Sequence, residues 1–185
     1  MEFTELLYKI FLKDHSLEFI DSFCFALRED EIELKDSLNM VIKEMQSDGT
    51  LERLTKEYIT AINADTDPPA IELPHFDGAD TIKVAVTGDL PPLDFVSADG
   101  KPAGFNTAVL AEIAKRMSKN IELVQVDSGA RAAALTSKQV DVVFWAIVPV
   151  SEIIPSDTDK PDGVILTEPY YKDKIAHMIF KAEEK

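Results

Sequence analysis

Three carboxyl groups are the candidates for acid–base chemistry in this sequence of 185 residues. Asp89, Asp94 and Glu152 could be arranged as a general acid and a general base, which requires two carboxyl groups that face one reacting bond. Nothing in the sequence sets the distances between them, and 34 acidic residues are spread along the chain. Enzymatic activity is therefore a remote alternative, and we assign no catalytic residue.

The other reactive side chains do not form a recognisable site. His15, His75 and His177 lie in unrelated segments, so the sequence predicts no metal site. Cys24 is the single cysteine, and its apolar neighbours favour a small buried side chain over a nucleophile. The sequence contains no phosphate-binding loop, no Ser-His-Asp order and no Cys-His pairing, and we predict no cofactor.

Composition and charge exclude two classes of partner. A hydrophobic content of 45% is enough for one packed core, and 19 basic against 34 acidic residues give a net charge of -15. This charge repels nucleic acid and anionic lipid headgroups. The longest apolar stretch, residues 142–150, is far too short to span a membrane, and the first residues do not resemble a signal peptide.

Alternating strand and helix patterns predict the elements that position these residues. Residues 82–86 form a predicted strand, and Asn106 is predicted to cap a helix with an apolar stripe. A second strand follows at residues 121–126, then a short helix capped by Ser128 and a buried strand at residues 140–148. This order is typical of a parallel α/β sheet with right-handed crossovers.

The earlier part of the chain repeats the mixed pattern. Residues 23–27 read as a buried strand, and a helix follows whose apolar residues share one face: Leu34, Leu38, Val41, Ile42 and Met45. Gly49 is expected to end this helix, and Thr50 is expected to cap the next one. Residues 63–80 contain three prolines and read as a linker, whereas residues 174–180 read as a final strand.

Residues 82–171 resemble the opening of the type II periplasmic solute-binding proteins, in the polar amino-acid group, family 3, of ABC-importer receptors. Six segments carry the resemblance in order: residues 83–86, 90–95, 99–105, 110–116, 134–141 and 167–171. Residues 23–62 resemble the end of the same family, through residues 26–28, 33–38 and 48–54. In that family both chain ends build lobe one, so the two pieces stand here in reversed order.

The resemblance implies an α/β fold: a periplasmic-binding-protein type II-like single lobe, with a mostly parallel sheet flanked by helices, circularly permuted and lacking most of the second lobe. It divides the chain into residues 1–22, a remnant of lobe two or a dimerisation segment; 23–62, the C-terminal part of lobe one; 63–80, the linker; and 81–185, the N-terminal part with an outgoing crossover strand. A cut through two tandem receptor domains is the alternative arrangement.

Family members hold an α-amino acid between an aromatic side chain and an arginine that binds the carboxylate. When this chain is aligned with the family without gaps, Trp145 takes the position of a family glycine, Ile147 that of a threonine and Glu152 that of the arginine. Leu93 lies near the position of the family's aromatic side chain. A glutamate there repels a carboxylate by an energy on the order of several kcal/mol. The ligand-binding candidates are Asp89, Leu93, Asp94, Arg131, Trp145, Ile147 and Glu152, and the predicted ligand is a small polar solute other than a classical α-amino acid.

Each candidate also has a structural interpretation. Trp145 lies in an apolar run and fits a core position, Glu152 fits the first turn of a short helix, and Arg131 fits a solvated side chain. A shifted alignment would make Lys160 the cation instead.

The resemblance thus predicts a non-catalytic binding domain with an altered or degenerate cleft, an ABC permease as partner in the parent system, and a periplasmic or extracellular location. The alternatives are a swapped or face-to-face homodimeric interaction module and, remotely, a dehydratase-like enzyme.

Overall fold

The computed structural model describes residues 20–61, 70–147 and 161–174. The strands in these ranges are β1 (Ile20–Arg28), β2 (Thr81–Val86), β3 (Asp89–Leu90), β4 (Asp94–Val96), β5 (Pro102–Ala103), β6 (Asn120–Gln125), β7 (Val142–Ile147), β8 (Val164–Leu166) and β9 (Tyr171–Lys174). The main sheet has the strand order β6-β2-β7-β1-β8, and β9 also pairs with β1. Strands β3, β4 and β5 form a separate small antiparallel sheet.

The helices of the described residues cover both faces of the main sheet. They are α1 (Ile32–Ser47), α2 (Thr50–Thr55), α3 (Phe105–Met117) and α4 (Arg131–Thr136), with a π-helical turn at Lys56–Thr60 and a 3₁₀ turn at Ser128–Ala130. Buried residues of α1, α2 and α3 share a large core on one face, whereas Leu135 of α4 belongs to a smaller core on the other. Since successive strand residues point to opposite faces, this arrangement uses both sides of β7: Val142 faces the large core and Val143 the small one. None of the described helices is long and apolar enough to cross a bilayer.

The α/β class and the single-lobe architecture are confirmed, and the sheet is mixed. Strand β2 is parallel to both β6 and β7, as the crossover pattern predicted. Strand β1 is antiparallel to β7, β8 and β9. The prediction of a mostly parallel sheet therefore holds for β6, β2 and β7. Strand β1, from the early part of the chain, forms the antiparallel half with β7, β8 and β9.

The early and late parts of the chain share one interior. Ile42 of α1, Leu54 of α2, Val84 of β2 and Ile113 of α3 all belong to the large core, and their exposed fractions are at most 3%. We call the contact between residues 20–61 and residues 81–147 the joint. Burial of these side chains away from water is the main force that closes it.

Arginine side chains add polar contacts to the joint. Arg116 of α3 donates to the Asp48 carboxylate at 2.7 Å and to the Thr50 hydroxyl at 3.0 Å. Arg28 of β1 donates to the Val140 carbonyl at 2.7 Å and to the Asp141 carboxylate at 3.3 Å. Burial alone would lower the pKa of Arg28, but its hydrogen bonds to the carboxylates of Glu31 and Asp141 raise it instead.

Three predicted helix caps are wrong. Helix α3 begins at Phe105 after Gly104, so Asn106 lies inside it. Asn106 is 2% exposed, and its side-chain oxygen accepts a hydrogen bond from the Tyr170 hydroxyl at 2.9 Å instead of capping the helix. Thr50 is the first residue of α2 rather than its cap, since Gly49 takes the left-handed conformation before it. Ser128 lies inside a 3₁₀ turn, so its side chain does not cap α4.

The structure describes two of the predicted segments only in part. The described half of the proposed linker packs on the lobe, because the Ile71 amide donates to the Pro102 carbonyl at 2.9 Å and the Ile71 side chain is buried. The last described strand is β9, and the predicted strand at residues 174–180 falls almost wholly outside the described residues. The apolar run at residues 140–148 contains β7 as expected, but only its first half is buried on both faces.

Candidate binding crevice

The carboxyl ends of β2 and β7 form the point where the direction of the crossovers reverses. Strand β2 leads through α3 to β6 on one side, and β6 leads through α4 to β7 on the other. The β2–β7 ladder ends at the pair Ala85 and Val143, although β7 continues to Ile147. Open α/β sheets bind ligands where strands part in this way. We call this edge the crevice.

Asp94 shapes the loop that follows β2. Its Oδ1 atom accepts hydrogen bonds from the Thr87 amide at 3.1 Å, the Thr87 hydroxyl at 3.0 Å and the Gly88 amide at 2.7 Å. The residue is 4% exposed, and Gly88 adopts a φ of 77° that glycine favours. These contacts favour a structural role for Asp94 over an acid–base role, because a buried carboxylate with three donors is held in place as an acceptor.

Asp89 and Leu93 lie on either side of the same turn. Asp89 is exposed on β3, opposite Phe95 of β4. Leu93 is partly buried against the large core, and its carbonyl accepts a hydrogen bond from the Asn106 amide at 2.8 Å. A Cβ atom at Gly104 would come within 2.5 Å of that carbonyl oxygen, so glycine is needed for the turn to meet α3. Leu93 therefore joins the loop to the core.

Arg131 and Trp145 lie in contact at the carboxyl end of β7. The Arg131 guanidinium lies 5.7 Å from the centre of the Trp145 ring, within the range of a cation–π interaction. Its Nη1 donates to the Phe144 carbonyl at 2.9 Å and its Nε to the Ser128 carbonyl at 3.0 Å. Since both side chains are partly buried, the guanidinium is held in one orientation beside the crevice.

The remaining candidates are only partly placed. Ile147 is the last residue of β7, partly buried and opposite Ser22 of β1. Glu152 and Lys160 lie outside the described residues. The structure thus brings Arg131 and Trp145 into contact and groups Asp89, Leu93 and Asp94 on one loop. Sequence reasoning missed Thr87 and Gly88 as partners of Asp94, although a glycine directly after a strand is a signal for such a turn.

Other reactive groups do not form a site among the residues described. Cys24 is 1% exposed, and burial raises the pKa of its thiol to about 11, which leaves it protonated and unreactive at neutral pH. His75 is exposed beside Asp77, while His15 and His177 fall outside the described ranges. No cluster of His, Cys, Asp and Glu within those ranges could hold a metal ion.

A wide groove of the described surface lies away from the crevice. It measures about 750 Å³, runs between α1 and residues 168–172, and shares no lining residue with the crevice candidates. The Asn39 and Gln46 side chains of α1 hold this extended segment through the Glu168 amide and the Pro169 carbonyl. We favour the crevice over this groove as the solute site. A single lobe exposes only half of a ligand cleft, so the solute site of such a lobe need not be an enclosed cavity.

Comparisons with known proteins agree with the resemblance. Residues 82–153 match the family of bacterial extracellular solute-binding proteins, family 3. The probable ABC transporter arginine-binding protein ArtJ of Chlamydia trachomatis serovar D is 28% identical over 104 residues, which is 55% of this chain and 37% of the relative. The chain therefore spans little more than a third of that relative's length. No solved structure gives a significant match. Together, the matches support a relationship of this chain to the family 3 solute-binding proteins of amino-acid ABC transporters, which are binding proteins and not enzymes.

Proposed function

We propose that this chain is a non-catalytic solute-binding lobe in which the two halves of lobe one stand in permuted order. The observation that carries the proposal is the joint, where β1, α1 and α2 pack on β2, α3 and β7 in one core. These early elements resemble the end of the family's chain and the later ones its beginning. One lobe assembled from both pieces contains both strands, β2 and β7, whose ends form the crevice.

Restoring the family order tests the permutation. Ile20 of β1 and Lys174 of β9 are antiparallel partners, so a two-residue Asn-Gly turn can join residue 174 to residue 20 as a hairpin. The rearranged chain would begin at residue 70 and end at residue 61. We expect it to fold with circular dichroism and a melting temperature close to those of the original. Loss of folding when four- and six-residue turns are also tried would contradict the permuted arrangement.

The proposed ligand is a small polar solute that is not a classical α-amino acid. This specificity depends on the position of Glu152 in the alignment, where a negative charge would repel an α-carboxylate. A thermal-shift screen tests it with the twenty amino acids, simple carboxylates, polyamines and sugars. We expect stabilisation by at least one solute and none by the amino acids. A clear shift with glutamine or arginine would overturn the specificity, and no shift with any solute would count against solute binding.

The proposed partner in the parent system is an ABC permease, and the proposed location is the periplasm or the extracellular space. Both proposals extend to this chain the partner and the location of the solute-binding receptors to which it is similar. A remote enzymatic role, such as that of a dehydratase, is less consistent with the structure, because Asp94 is committed to its loop through three hydrogen bonds.

A homodimeric interaction module is the second candidate, favoured by the groove beside α1. Met40 lines this groove and is 62% exposed, which is unusual for a large apolar side chain. Multi-angle light scattering over a hundredfold concentration range distinguishes the two functions. A monomer at all concentrations would exclude the dimer, whereas a stable dimer that Met40→Lys disrupts would favour it.

A further inference from the structure

Helix α1 has an uncovered apolar side besides the face that it buries in the large core. Met40, which is 62% exposed, lines the groove between α1 and residues 168–172. Ile32 is 56% exposed and precedes Asp36 and Lys43 of the groove by four and eleven residues. This helical spacing places Ile32 on the same side of α1. Two large apolar side chains on one side of a helix form a patch that a partner can cover.

The chain enters the sheet close to this groove. Ile20, the first residue of β1, is 45% exposed and pairs with Lys174 of β9. Strand β9 begins at Tyr171, which lines the groove. Three residues of a strand span about 10 Å. Residues 1–19 therefore join the lobe about 10 Å from the wall of the groove.

Residues 1–19 contain the apolar pattern that such a groove accepts. Five of them follow the i, i+3, i+4, i+7 and i+8 spacing of an amphipathic helix: Phe3, Leu6, Leu7, Ile10 and Phe11. A helix of residues 3–11 would be about 14 Å long, and the side of α1 from Ile32 to Gln46 spans about 21 Å. Residues 12–19 can extend over as much as about 28 Å. This length is enough to bring the apolar stripe back along α1.

Charge favours this segment over a second copy of the chain as the occupant. A second copy would bring a net charge of -15 to an equally charged lobe, and a charge of this size opposes self-association. Residues 1–19 carry four acidic and two basic side chains, and the groove presents both signs through Asp36, Lys43, Glu168 and Lys172. Because the segment is tethered to β1, its effective concentration at the groove is on the order of millimolar.

We propose that residues 1–19 are a covering segment, whose apolar stripe docks in the groove and over Met40 and Ile32 of the same chain. This inference goes beyond the proposed solute-binding function, since the groove shares no lining residue with the crevice candidates. It gives the groove an occupant within the chain, in place of a second copy.

Oxidation of Met40 by hydrogen peroxide reports on the cover of the groove, because a thioether reacts when it is accessible to solvent. Mass spectrometry of the digested protein gives a separate rate for each methionine. Met45, on the core side of α1 and 0% exposed, reports whether the lobe stays folded. The variant Leu7→Asp places a charge in the stripe. Leu12→Asp is the matched control, because it makes the same change about 140° away around the predicted helix.

Met40 should be oxidised at least about tenfold more slowly in the wild type and in Leu12→Asp than in Leu7→Asp. Met45 should react slowly in all three proteins. The protection of Met40 should not change over a hundredfold range of protein concentration, because the segment belongs to the same chain.

Equal rates for Met40 in the wild type and in Leu7→Asp would overturn the covering segment, and so would an equal loss of protection in Leu12→Asp. Protection that disappears on dilution would also overturn it, since that result assigns the groove to a second copy. Should Leu7→Asp also expose Met45, the milder pair Leu7→Ser and Leu12→Ser is compared in the same way.

Discussion

The joint and the crevice differ in the partners that their arginine side chains meet. At the joint, Arg116 meets the Asp48 carboxylate and Arg28 meets that of Asp141, both over buried apolar side chains. At the crevice, the polar and aromatic contacts of Arg131 with described residues are two backbone carbonyls and the ring of Trp145. The comparison teaches that carboxylates of the joint balance the charges of its arginines, whereas the charge of Arg131 meets no carboxylate within the part of the chain that the structure describes.

The largest effect is expected from removing a core side chain of the joint. Phe25 of β1 is fully buried and contacts the rings of Phe144 and Tyr170. Phe25→Ala should lower the free energy of unfolding by about 3–5 kcal/mol in urea denaturation, because it leaves a large cavity. Leu90→Ala, at an exposed position of β3, should change it by less than about 0.5 kcal/mol. If Phe25→Ala does not fold, Phe25→Leu should show a smaller loss; no loss in either would contradict the joint.

The loop of the crevice should be less costly to disturb. Asp94→Ala removes the acceptor of three hydrogen bonds and should destabilise the protein by about 1–3 kcal/mol. Hydrogen exchange should rise at the Thr87 and Gly88 amides but remain slow in β2. Asp89→Ala, at an exposed site of the same loop, is the control. Equal effects of the two substitutions would show that Asp94 does not hold the loop.

The buried hydrogen bond between Tyr170 and Asn106 should contribute about 1–2 kcal/mol. Tyr170→Phe leaves the Asn106 side chain buried with its acceptor unpaired, so stability should fall. The double variant Tyr170→Phe/Asn106→Leu should lose less than the sum of the single variants, because no polar group is left without a partner. Additive losses would mean that the two side chains do not interact.

The smallest effect concerns the dependence of the joint on pH. Hydrogen bonds from Thr50 and then from Arg116 lower the pKa of the Asp48 carboxyl from 3.8 to about 2. Since the pKa of the folded state lies below that of the unfolded state, this carboxylate stabilises the fold above about pH 4 and loses its effect as the pH falls towards 2. Asp48→Asn should therefore flatten the loss of stability in this window, and Asp89→Asn should not. Identical acid profiles for all three proteins would contradict the pairing.

The joint was largely predictable because its information is local. The helical spacing of Leu38, Val41, Ile42 and Met45 predicted one face of α1, and all four are buried. The apolar run at residues 23–27 predicted β1 in the same way. The direction of β1 was not predictable, because an apolar run is equally compatible with parallel and antiparallel neighbours.

The crevice was less predictable because its contacts join distant residues. Asn106 was predicted as a cap, since its type and position before an apolar stripe fit one, but Tyr170 binds it from 64 residues away. Arg131 and Trp145 were each given a structural and a binding interpretation. Neither interpretation includes the contact between these two side chains, which depends on how α4 lies against β7. Their role in binding stays a prediction.

Coincident unfolding of the two chain pieces tests the central claim most directly. The single cysteine lies in the early piece and the single tryptophan in the late piece, and Cys24 and Trp145 are cross-strand partners in β1 and β7. Urea unfolding can be followed by Trp145 fluorescence and by the labelling of the Cys24 thiol. The account predicts one midpoint for both probes, independent of protein concentration. Two separate midpoints would show that the pieces fold apart, and this result would contradict a shared lobe.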